Sequence, residues 1–214
     1  MNRPFVGVIA VVVIIASLVS IFLTQRRPTA PINLLPFEGC GLAGAAETAK
    51  LLNGRGRILV VTFKRVEPVE AATKAFTKEL AKHPGIQIVA TEALELSDAS
   101  PNDSEGVRGE LYFQWLSKYP GLDAIVSFVG SPSFKEEELR RLPKQRPRFV
   151  VLQGYGPTLR DLLLDGIVDL AVAPNVQPPT ESQQDQAQPK SALDWFHRYY
   201  TFATPENAEQ LPAF

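Results

Sequence analysis

Two stretches of this sequence repeat one grammar, in which a polar helix end meets a Pro-Gly break and the chain then runs through apolar and β-branched residues. His83-Pro84-Gly85 opens into Ile86 to Thr91, and Tyr119-Pro120-Gly121 opens into Leu122 to Val129. The second run, with only Asp123 charged, has the near-continuous apolarity of a strand buried on both faces, as in a parallel sheet covered by helices. It stops at Gly130-Ser131-Pro132, which turns the backbone toward a new helix at the edge where open α/β sheets place ligands.

Further segments extend the pattern. Gly41 to Leu52 is rich in alanine and leucine, which favours helix, and Asn53 to Gly56 ends it. Ile58 to Phe63 is the first buried strand. Pro68 opens a helix with Val69, Ala72, Phe76 and Leu80 at helical spacing. Another helix carries Val107, Leu111, Trp115 and Leu116 on one side. Ser133 and Glu136 have capping-box spacing for a short helix through Leu142. Phe149 to Leu152 is a fourth strand, Pro157 to Gly166 brackets a helix, and Val168 to Ala173 is a fifth strand. Strands alternating with helices predict an α/β fold with right-handed crossovers. The expectation is a doubly wound parallel five-stranded sheet of order 2-1-3-4-5, with an N-terminal transmembrane helix.

That last element rests on Phe5 to Leu23, which holds no charged residue. About 19 residues at ~1.5 Å rise give roughly 28 Å of helix, close to the hydrocarbon thickness of a bilayer. The run exceeds the ~7–15 apolar residues of a cleaved signal peptide, which favours an uncleaved anchor over a removed signal. Arg3 on one side and Arg26 with Arg27 on the other leave orientation open. The expected organisation is an anchor or signal over 1–27, a proline-bearing tether over 28–40 and an α/β lobe over 41–175. A flexible linker rich in Gln, Pro, Ser and Asp follows over 176–190, and then a docking segment over 191–214 with an apolar and aromatic face of Leu193, Trp195, Phe196, Tyr199 and Tyr200.

The formal net charge of −1 gives no basic excess for nucleic acid, and the single cysteine, Cys40, excludes an intrachain disulfide. His83 and His197 are the only histidines and sit in unrelated segments, so a metal or catalytic pair is not expected. Asp98, Asp103 and Glu105 lack calcium-loop spacing. No cofactor motif is complete: Gly154-Tyr155-Gly156-Pro157 follows a strand and opens a helix, but Leu159 stands where a dinucleotide fingerprint needs glycine.

GRGRILVVT from Gly54, KHPGIQIVATE from Lys82, KYPGLDAIVSF from Lys118 and RFVVLQGYGPTLRDLLLDGIVDLAVA from Arg148 occur in an order and spacing that resemble the carboxy-terminal lobe of the type I periplasmic sugar-binding proteins. That fold is shared with lactose-repressor-like regulators. TPENAEQLP, from Thr204, is similar to the family's closing segment. The resemblance implies a two-lobed solute-binding fold with a sugar held at the carboxyl edge of the sheet. No amino-terminal lobe fits between the apolar run and Gly41. The polar positions that the resemblance implies fall on Ala72, on Val129 and Gly130, on Gly154 and on Pro174, none of which carries a side-chain hydrogen-bonding group.

Lys64 and Arg65 after the first strand, Ser131 after the third and Tyr155 after the fourth are therefore the candidate ligand-binding residues. Lys64 and Arg65 could meet a carboxylate or phosphate, or be solvated charges at a strand end. The residues from Trp195 to Tyr200 could lie on a membrane, stack on a sugar or plug one face of the sheet. The expected function is a membrane-anchored, non-enzymatic, extracytoplasmic solute-binding-like module with a degenerate sugar site, a weak small-molecule or protein partner, and no cofactor. The alternatives are a sugar-transport component completed by a partner chain or a homodimer, and an enzyme using the same edge, where few acids, bases or nucleophiles stand.

Overall fold

In a computed structural model, residues 17, 32–95, 107–153, 158–175 and 189–211 are described. Leu34 opens the compact unit. Its elements are α1 (Leu35–Leu51), β1 (Gly56–Phe63), α2 (Glu67–Leu80), β2 (Ile86–Leu94), β3 (Val107–Arg108), α3 (Gly109–Lys118), β4 (Ala124–Ser127), β5 (Pro132–Ser133), α4 (Glu136–Arg141), β6 (Arg148–Val151), α5 (Leu159–Leu164), β7 (Leu170–Pro174), α6 (Ala192–Tyr199) and β8 (Tyr200–Ala203).

The main sheet runs β2-β1-β4-β6-β7-β8, and β3 pairs with β5 in a separate two-stranded sheet. All neighbours in the main sheet are parallel except β7 and β8. The five parallel strands thus keep the expected 2-1-3-4-5 order, with β4 in the middle. Alternation along each strand divides the side chains between two cores. Ile58, Val60, Val126, Phe128, Val150 and Val172 face α1, α2 and α6. Leu59, Val61, Ile125, Phe149, Val151 and Ala171 face α3, α5 and the segment around Ala208. A period of two with both faces covered is why these strands read as continuous apolar runs.

Several expectations need correction. A sixth, antiparallel strand, β8, caps the sheet beside β7, pairing Tyr200 with Pro174 and Ala203 with Ala171. The helix expected from Gly41 begins at Leu35, with Pro36 in its first turn, so residues 35–40, assigned to the tether, are helical. Pro suits a first turn because its missing N–H is not needed there. The cap of α4 sits two residues later than expected: the Lys135 backbone N–H donates to the Glu138 carboxylate at 2.8 Å, while Ser133 is drawn into β5. Leu193, expected on the apolar face of α6, is 42% exposed. Phe5 to Leu23 lies outside the described residues apart from Ser17, and among the described residues no helix is long and apolar enough to cross a membrane. Most of the 176–190 segment also lies outside them.

Both cores lie within Leu34–Phe214. Expression from Pro31 onward should therefore yield a protein that is monodisperse without detergent by size-exclusion chromatography. Aggregation of every such truncation would show that the unit does not stand alone.

Candidate functional site

The carboxyl ends of β1, β4, β6 and β7 all open on one edge of the sheet, and the candidate residues were chosen for that edge. After β1, Lys64 Nζ meets Glu95 Oε1 at 2.9 Å, with both side chains about half exposed. Arg65 adopts a left-handed φ of 60°, held by its backbone N–H donating to Glu70 Oε1 at 3.1 Å. Lys64 and Arg65 line an open groove of about 820 Å³ together with Phe63, Thr73, Thr77 and Ala93. Both charges are on the surface, and Lys64 already has a partner. They are brought together by chain adjacency, not by convergence of separate elements.

After β4, the chain is pinned down instead of presented. Ser127 Oγ donates to the Gly130 carbonyl at 2.6 Å and accepts from Val129 N–H at 3.3 Å. Val107 N–H donates to the Ser131 carbonyl at 2.9 Å, continuing into the β3–β5 pairing. Ser131 is only 3% exposed. Beneath this turn the wholly buried Tyr112 hydrogen-bonds Ser127, and burial raises its phenol well above the ordinary value. Its ring packs against Trp115, Phe134 and Phe149 at centroid distances of 4.8–5.4 Å. Tyr112 was missed by the helical spacing that put Val107, Leu111, Trp115 and Leu116 on one side; a second aromatic three residues before Trp115 was the available signal. Tyr155, the fourth candidate, and Gly154 lie outside the described residues.

Ala72, expected at the edge, is fully buried between helices. A Cβ placed on Gly41 would stand 2.2 Å from the Ala72 carbonyl oxygen, so residue 72 belongs to the α1–α2 contact and does not open on the edge. Gly130 is buried in the pinned turn, whereas Pro174 is exposed at the end of β7.

A cavity of about 270 Å³ does open at the ends of β6 and β7. Its walls are Phe37, Leu152, Val172 and Pro174, and its polar groups belong to Cys40, Gln153 and Tyr200. α1 brings Phe37 and Cys40 to this place, and the Pro174–Tyr200 pairing brings the tyrosine. Burial pushes the Cys40 thiol up to about 12. Burial, and then the nearby Cys40, also raises the Tyr200 phenol. Sequence reasoning named Pro174 and Tyr200 of this set but not their meeting, because the members come from four separated segments.

The opposite, amino edge holds a polar cleft of about 550 Å³ that includes Asp123, Arg146 and Arg148. Its charges serve the fold. Asp123 accepts from Arg57 N–H at 2.7 Å, and Asp169 bridges Arg146 at 2.9 Å and Arg148 at 2.6 Å while accepting from Phe149 N–H.

No family model and no curated protein matches the sequence. Solved structures do match in shape. An arabinose-binding protein from Geobacillus stearothermophilus superposes with a TM-score of 0.57 at 18% identity, over 83% of this chain and 63% of that one. The fold is the type I periplasmic-binding-protein-like α/β fold. A sugar-binding protein of an ABC transporter from Bacillus halodurans gives 0.55 at 18% identity, over 82% and 64% of the two chains. An ABC transporter periplasmic solute-binding protein from Actinobacillus succinogenes, with bound D-allose, gives 0.54 at 14%, over 82% and 62%. The chain spans less than two thirds of the length of each. Identity at this level establishes the periplasmic-binding-protein-like fold and leaves function to the site.

Proposed function

We propose that this chain is a non-enzymatic, solute-binding-protein-like module, held to a membrane by its apolar N-terminal run on the extracytoplasmic side, whose sugar site is degenerate. The observation that carries this reading is the state of the carboxyl edge. Its middle turn is sealed, with Ser131 at 3% exposure, and Gly130, Gly154 and Pro174 stand at the polar positions that the family resemblance implies. Lys64 and Arg65 keep the role of candidate contacts for a weakly bound small molecule or protein. The sugar-binding neighbours support a binding role over a catalytic one, since catalysis needs placed acids, bases or nucleophiles, and His83 lies between α2 and β2 while His197 lies in α6.

Each hydrogen bond to a neutral partner contributes roughly 0.5–1.5 kcal/mol net, so three lost contacts remove on the order of 1.5–4.5 kcal/mol. At ~1.4 kcal/mol per tenfold, a micromolar site would weaken roughly ten- to thousandfold. Isothermal calorimetry with ribose, xylose, glucose and galactose should accordingly show no dissociation constant below about 10 μM, which corresponds to roughly 7 kcal/mol. Tighter binding of any of them would favour the other reading, a sugar-binding component completed by a partner lobe or a second copy.

A further inference from the structure

The outer stripe of α2 reads Glu67, Glu70, Lys74 and Lys78, with its acids toward the amino end, its lysines toward the carboxyl end and all of them exposed. Spacings of three and four residues set them on one face of the helix. That order suits the helix dipole, yet it leaves the charges open to a further partner. Glu67, Lys74 and Lys78 have no ion-pair partner among the described residues. Glu70, four residues before Lys74, instead accepts the Arg65 backbone N–H at 3.1 Å.

Apolar ground flanks the stripe on both sides. A groove of about 820 Å³ with Phe63 and Ala93 follows one side of α2, and one of about 460 Å³ with Leu34, Leu42, Ala71 and Ala75 separates α2 from α1. Glu70, Lys74 and Lys78 line both. α2 is thus a charged ridge between two grooves, which is the relief that helix-on-helix packing uses. A partner of one sign would suit half of the stripe and be repelled by the other half. The complement of this stripe is the stripe itself, reversed.

We infer that α2 is a self-association surface, on which a second copy of this chain packs its own α2 antiparallel. A two-fold axis near Ala71 sets Glu67 and Glu70 of each copy against Lys78 and Lys74 of the other, so one operation supplies every opposite-charge pair. Ala71 is small enough to let the helices approach to the ~8–10 Å of packed pairs. This pairing holds whether or not the carboxyl edge takes a sugar.

The test uses the full chain in detergent micelles, with oligomeric mass from sedimentation equilibrium in density-matched detergent. Lys74→Glu with Lys78→Glu makes the stripe wholly acidic, and Glu67→Lys with Glu70→Lys makes it wholly basic. The wild type should be a dimer. Each variant alone should dimerise about tenfold or more weakly, while the two mixed should form a heterodimer at least as tight as the wild-type dimer. Raising salt from about 0.1 to about 1 M, which cuts the Debye length from ~10 to ~3 Å, should also weaken the wild-type dimer. Glu67→Lys alone serves if loss of the Glu70 contact disturbs the turn at Arg65. A monomeric wild type overturns the inference, including one in which the chain's own residues cover α2. So does a dimer indifferent to these substitutions, as one held through the apolar N-terminal run would be, and so does failure of the mixed variants to associate.

Discussion

Ile125→Asp is expected to abolish folding. Ile125 is 1% exposed in β4, between Leu59 of β1 and Phe149 of β6 in the sheet register. Its side chain points into the core formed with Tyr112 and Leu163. A carboxylate there has no partner and is screened from water by helices. An uncompensated buried charge costs several kcal/mol, against a total stability of ~5–15 kcal/mol for a domain. The measurement is a thermal or urea melt followed by circular dichroism. A cooperative transition close to the parent's would show that β4 does not hold the centre of the sheet.

Gly41→Val should be nearly as damaging, for a reason of space. α1 approaches α2 so closely that a Cβ at residue 41 would lie 2.2 Å from the Ala72 carbonyl oxygen. The obstacle is backbone, which no rotamer change can move, so the helices must part. Overpacking typically costs 1–3 kcal/mol, and forced separation of a helix pair should reach about 3 kcal/mol or more. Gly54→Ala is the control. Gly54 has φ +73° with nothing within 4 Å of a Cβ, so its substitution should cost only the ~1–2 kcal/mol of left-handed backbone. Equal melting temperatures for the two variants would rule out a close contact at Gly41.

Much of the scaffold was legible because its signals are local. Runs such as Ile58 to Phe63 and Leu122 to Phe128 announce strands covered on both sides; Asn53 to Gly56 marks the approach to the first and Pro120-Gly121 the start of the second. The start of α1 was not legible, since Pro28, Pro31 and Pro36 made residues 28–40 read as a tether, although the helix begins at Leu35. Tertiary contact reverses that reading: Gly39 and Gly41 are what let α1 lie against α6 and α2. β8 is four residues long and owes its place to β7, so its own pattern is too short to declare it.

The site was less legible than the scaffold. Sequence spacing put Ser131 at the ligand edge but could not show that the β3–β5 pairing folds it away. Ala72 was assigned to the edge by alignment of motifs, whereas its depth depends on how near α1 comes. Cys40, Gln153 and Tyr200 line one cavity although they stand far apart in the sequence.

The contact between α1 and α6 also sets a schedule for synthesis. A Cβ on Gly39 would meet the Ala192 carbonyl oxygen at 2.1 Å, so the first helix of the unit is fitted to a helix made late in the chain. At ~5–20 residues per second, roughly ten to thirty seconds separate their emergence from the ribosome. Through that interval the surface of α1 around Gly39 has no cover, and the lobe cannot reach its native state by growing from its amino end. Its folding is therefore expected to be largely post-translational, with nascent α1 a customer for chaperones that shield apolar helices.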